Sequence, residues 1–60
     1  MYDMTPEQAE AEKTLNAQGF RFSNWISAQT ENEREGCMVF TKRKGPSTHY
    51  REVSPDGTIN

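Results

Sequence analysis

Only eight residues of the chain are Leu, Ile, Val or Phe: Leu15, Phe20, Phe22, Ile26, Val39, Phe40, Val53 and Ile59. That scarcity sets the scale of what can fold. A chain of 60 residues buries only about 60% of the surface that its unfolded form exposes. So few large apolar groups can fill one small core, which implies a single domain, 1–60. A low apolar fraction goes with disorder when net charge is high. Here the formal net charge is −2, and Trp25, Tyr50 and the methionines add apolar area. A folded domain is the expectation.

Domains this small usually draw extra stability from disulfides, a metal or self-association. Cys37 is the single cysteine and cannot close a disulfide within the chain. His49 is the single histidine, so no ordinary zinc-ligand set can be assembled. No cofactor is expected. Close packing or association with a second chain remains, and a homodimer enters the expectations at this point. No apolar run approaches membrane-spanning length and no signal-peptide pattern is present. The expectation is a cytoplasmic protein with no membrane partner.

Thr5-Pro6-Glu7-Gln8 reads as a helix start. Thr5 can cap, Pro6 suits the first helical position, and Gln8 stands where a capping box takes Glu or Gln. Gly19 reads as the stop, with Leu15 and Phe20 meeting across a Schellman ending. A helix over about 6–18 follows, with residues 1–4 loose before it. Its apolar stripe is thin: Gln8, Ala11, Leu15 and Gln18, with Leu15 the only large aliphatic. Such a helix can cover one face of a sheet and no more.

Residues 20–28 alternate like a strand, with Phe20, Phe22, Ile26 and Ala28 on one parity and Arg21, Ser23, Trp25 and Ser27 on the other. Trp25 beside Ile26 breaks the pattern. Either a bulge lies near Asn24, or both faces carry apolar groups. Residues 29–36 are polar and are expected to form a mobile loop. Cys37–Lys44 reads as the middle strand, Gly45-Pro46-Ser47 as a turn, and Thr48–Val53 as a third strand. Ser54-Pro55-Asp56-Gly57 is a standard turn, followed by a tail that either adds a short fourth strand or tucks Ile59 under the sheet. The expected fold is α+β in α-β-β-β order: one N-terminal helix packed on a three-stranded, or four-stranded, antiparallel meander.

A turn centred on Gly45-Pro46 sets Val53 opposite Met38 and Tyr50 opposite Thr41. A slip of one residue would exchange the two faces. The first register gives Val53, Met38 and Phe40 to the core with Phe20, Phe22 and Ile26, and leaves the Tyr50 hydroxyl wet. The face away from the helix then carries Trp25, Cys37, Val39, Thr41 and Tyr50, fringed by Arg21 and Arg43. One helix cannot cover both faces, and small monomers seldom leave such a patch bare. Trp25, Val39, Thr41 and Tyr50 are therefore the candidate interaction surface. If the strand bulges, Trp25 turns into the core instead.

Charge is uneven along the chain. Residues 1–35 hold seven acids against Lys13, Arg21 and Arg34, a net of −4; residues 36–60 hold Lys42, Arg43, Lys44 and Arg51 against Glu52 and Asp56, a net of +2. An acidic chain argues against a general nucleic-acid binder. Lys42-Arg43-Lys44, extended by Arg51 and Arg21, could still grip phosphates while Trp25 or Tyr50 stacks a base. The plainer reading is a hairpin end kept wet and guarded against edge pairing.

No G-x-S-x-G, phosphate loop or paired-carboxylate pattern occurs, and Cys37 and His49 face opposite sides in the preferred register. Cys37 reads as a small buried hydrophobe and His49 as a solvated residue. An enzyme is not expected, nor a small-molecule ligand. Two functions compete. The first is a non-enzymatic protein-interaction or regulatory module using the helix-free face, toward a protein partner or a second copy. The second is a nucleic-acid-binding accessory domain. A compact acidic chain beginning at Met1 suits an accessory regulator or inhibitor of the kind that bacteria, phages and mobile elements encode.

Overall fold

A computed structural model describes all residues, Met1–Asn60. Helix α1 spans Pro6–Ala17, and strands β1 (Arg21–Ser27), β2 (Gly36–Lys44) and β3 (Ser47–Val53) follow. They form one antiparallel sheet in the order β1-β2-β3. The arrangement is α-β-β-β, as the sequence leads one to expect.

Both helix ends are built by the residues that announce them. The Thr5 hydroxyl accepts from the Gln8 N–H (3.1 Å), and Gln8 Oε1 accepts from the Thr5 N–H (3.0 Å), closing a capping box. At the other end Gly19 takes φ +94°. The Phe20 N–H donates to Leu15 O (2.9 Å) and the Gly19 N–H to Asn16 O (3.0 Å), a Schellman ending.

The β2–β3 hairpin fixes its own register. Gly45 has φ +62°, while the ring of Pro46 holds φ negative, which selects the type II′ two-residue turn that suits the twist of paired strands. Lys44 then pairs with Ser47, Thr41 with Tyr50 and Met38 with Val53. Beyond β3, Gly57 N–H donates to Ser54 O (2.8 Å) and Asp56 Oδ1 accepts from the Thr58 N–H (2.9 Å). The tail turns back far enough for Glu52 and Asn60 to exchange both backbone bonds, with a single bridge Val53–Ile59. It braces the outer edge of β3 without becoming a fourth strand.

β1 departs from the expected alternation. Ser23 is an extra residue between the pairs Phe22–Phe40 and Asn24–Val39, a β-bulge. Past it, Trp25 pairs with Met38 and Ile26 with Cys37. The bulge flips the parity, so Trp25 joins the helix side and Ile26 leaves it. Trp25 therefore does not belong to the helix-free face, and Ile26 does not belong to the core.

The core is Ala11, Leu15, Phe20, Met38, Phe40 and Val53, with Trp25 packed against it. The helix buries Gln8, Ala11 and Leu15, the last two in the cluster with Phe20, Met38, Phe40 and Val53. Phe22, on the same side of β1, stays 40% exposed. Tyr2 helps to cover this part of the sheet: its ring lies 5.7 Å from Trp25, and Phe22 meets Trp25 edge-on at 5.8 Å. The first residues, expected to be loose, are tied down by this stack. They are held again by the Asp3 N–H on Arg34 O (2.7 Å) and by the Asp3–Arg34 ion pair (2.8 Å).

Gln8 is the one buried polar side chain, with no exposed surface. Besides its capping bond it donates through Nε2 to Gly36 O (2.6 Å) and Val53 O (3.2 Å). Its oxygen and both amide hydrogens are thus engaged, and it pins the helix N-terminus to the start of β2 and the end of β3 at once.

Candidate functional site

Paired residues of antiparallel strands share a face, so the strand register gives the helix-free face directly. Its rows are Arg21–Thr41–Tyr50, Asn24–Val39–Glu52 and Ile26–Cys37, with Arg43–Thr48 toward the hairpin end. Tyr50 is 63% exposed and Ile26 38%; Val39 and Thr41 are half-buried. Val39, Thr41 and Tyr50 lie together as the sequence suggests. Trp25 is replaced by Ile26, for which the only sequence signal was the broken alternation at Trp25-Ile26. A shallow hollow beside Val39 and Tyr50 is closed by Glu52 and Asn60.

Cys37 stands at the far end of this face and is buried. Burial pushes its thiol above the ordinary cysteine value, and the Glu52 carboxylate adds to that through a hydrogen bond and its charge, against a smaller opposing bond from Ser54. A thiol held protonated is a poor nucleophile. His49 pairs with Lys42 on the opposite side, so the two do not meet. Nowhere do three His, Cys, Asp or Glu side chains gather as metal ligands.

The five basic candidates do not form one track. Strand alternation divides them: Lys42, Lys44 and Arg51 point to the helix side, Arg21 and Arg43 to the other. Three of them are engaged. The last turn of α1 carries no basic residue, and cations from the sheet meet carbonyls at and just past its end: Lys42 Nζ donates to Gln18 O (2.6 Å), and Arg21, although it leaves β1 on the other face, bends its Nη1 back to Asn16 O (3.3 Å) and Phe20 O (2.9 Å). These cations also sit at the negative end of the helix dipole. Lys42 and Arg51 close over the Phe20 ring at 5.6 and 5.3 Å from its centroid, a cation–π pair that covers a core aromatic. Lys44 and His49 join them around an open depression of about 420 Å³. Sequence reading gave the basic residues no part in capping the helix.

Comparison with protein-family models, with curated proteins and with solved structures returns no match. The fold class is that of a one-helix, three-stranded α+β domain.

Proposed function

We propose that the chain is a non-enzymatic protein-interaction module, an accessory regulator or inhibitor acting in the cytoplasm through its helix-free sheet face. The observation that carries this reading is the strip Ile26–Val39–Thr41–Tyr50, which no element of the chain covers. Its partner is a protein with an apolar patch, against Tyr50 and Ile26, and an acidic rim toward Arg43. No helix is long and apolar enough to cross a membrane.

The test is binding by a purified partner, found by capture from the native cells and then titrated against variants. Tyr50→Arg should weaken that binding by at least about tenfold, the equivalent of about 1.4 kcal/mol. Lys13→Glu, on the exposed side of the helix, should leave it unchanged. A partner held equally well by Tyr50→Arg and the native chain would overturn the reading.

The depression around Lys44 and His49 supports a second reading, contact with nucleic-acid phosphates. Since Lys42 closes the helix end, the informative variant is Arg43→Glu with Lys44→Glu. Salt-dependent binding to a mixed-sequence oligonucleotide that this pair abolishes would favour it. Binding unaffected by the pair would remove it.

A further inference from the structure

One edge of the sheet is bare. The outer edge of β3 is braced at Glu52 and Ser54 by the returning tail, whereas β1 makes backbone bonds only to β2. Natural edge strands are usually guarded by charged side chains, proline, a bulge or a covering segment. Arg21–Ser27 contains neither lysine nor proline, and its guards are confined to Arg21 at one end and the bulge at Ser23. Exposed apolar residues flank it on both sides, Phe22 on the covered side and Ile26 on the open side.

We propose that two copies of this chain pair through β1, antiparallel about a two-fold axis, into one continuous sheet. Face matching supports this. The bulge at Ser23 reverses the alternation halfway along the strand, so most antiparallel self-pairings would set a covered-side residue against an open-side one. The pairing whose axis falls between Ser23 and Asn24 avoids the conflict. Phe22 then meets the partner's Trp25, and Arg21 meets the partner's Ile26; each pair lies on a single face. Such an isologous contact closes on itself. It also merges the Tyr2–Trp25–Phe22 stack of the two copies and covers the exposed part of Phe22.

Charge supports the same orientation. The molecule is twice as long as it is wide, 39 × 19 × 18 Å, and is polarised along its strands. Arg21, Lys42, Arg43 and Lys44 stand toward the hairpin end; Glu31, Glu33 and Glu35 lie in the loop at the other. Antiparallel pairing sets each basic end beside the partner subunit's acidic loop, and parallel pairing would set like beside like.

Sedimentation equilibrium of the full chain, from low micromolar to near-millimolar concentration, tests the proposal. A reversible monomer–dimer equilibrium is expected, weakening by about tenfold or more between low and near-molar salt as the end charges are screened. Asn24→Lys places two like charges at the axis and should weaken dimerisation by about a hundredfold. Tyr50→Arg, on the separate open face, should leave it intact. On the unmutated chain, β1 amides should exchange hydrogen more slowly in concentrated than in dilute solution. A monomer across the range overturns the proposal, as do a dimer untouched by Asn24→Lys or lost in Tyr50→Arg, and β1 exchange independent of concentration.

Discussion

Gln8→Glu changes one atom of the side chain and should nearly unfold the protein at neutral pH. The glutamate keeps the oxygen that accepts from the Thr5 N–H (3.0 Å). It loses the NH₂ that donates to Gly36 O and Val53 O, and points a carboxylate oxygen at both carbonyls instead. Each buried polar group left without a partner costs about 1–3 kcal/mol, so the two carbonyls together cost about 4 kcal/mol, before any cost of burying the charge. A core of this size seldom supplies more than about 3–5 kcal/mol in all. The effect should also depend on pH. In the folded state the carboxyl is desolvated and faces carbonyls, so its pKa is raised above the ordinary value of about 4.3. A raised folded-state pKa means that the added instability is smallest below about pH 4.3 and grows as pH rises through the folded value. Urea unfolding followed by Trp25 fluorescence and far-UV circular dichroism, for the native chain and Gln8→Glu at the same acidic and neutral pH values, measures the difference. A difference below about 0.5 kcal/mol at neutral pH, the scale of an ordinary surface substitution, would refute the reasoning. So would a difference that does not shrink in acid.

Two further outcomes follow from the turn after β3 and from the buried thiol. Gly57 has φ +89°, and a Cβ there would stand 3.0 Å from Glu7 Cβ and 3.2 Å from Glu7 O; Gly57→Ala should cost about 2 kcal/mol, lowering the melting temperature by roughly 10 °C. Calorimetry showing no shift would contradict the placement of the tail against α1. Because the Cys37 pKa is raised in the folded protein, its contribution to stability is complete below the unfolded value and lost as pH rises through the folded one. Urea midpoints should therefore fall on the alkaline side for the native chain and less for Cys37→Ser, and equal alkaline slopes would argue against it.

Much of the fold can be read from short-range signals, because the physics that sets those parts is itself local. Thr5, Gln8 and Gly19 fix the helix ends through bonds spanning three to five residues. Gly45-Pro46 fixes a two-residue turn, and the turn alone places Tyr50 opposite Thr41. The bulge is different. Phe22, Trp25 and Ile26 cannot all satisfy one alternation, so the conflict shows in the sequence. Which residue yields depends on Met38, Phe40 and Tyr2, all distant along the chain. The same holds for Gln8, whose capping role is local while its bonds to Gly36 and Val53 form only once the sheet exists. Lys42 and Arg43 look alike in a basic run, yet strand alternation sends one to the helix end and the other to the opposite face. The candidate surface was thus legible at Val39, Thr41 and Tyr50, where a turn governs register, and misread at Trp25, where tertiary packing does.

The open face as a docking surface is tested most directly by a photo-crosslinking side chain placed at Tyr50 in the native cells, with the same group at Thr14 on the exposed side of α1 as control. The expected result is one discrete adduct with another protein from position 50 and none from position 14. No adduct from position 50, or the same adducts from both positions, would contradict it.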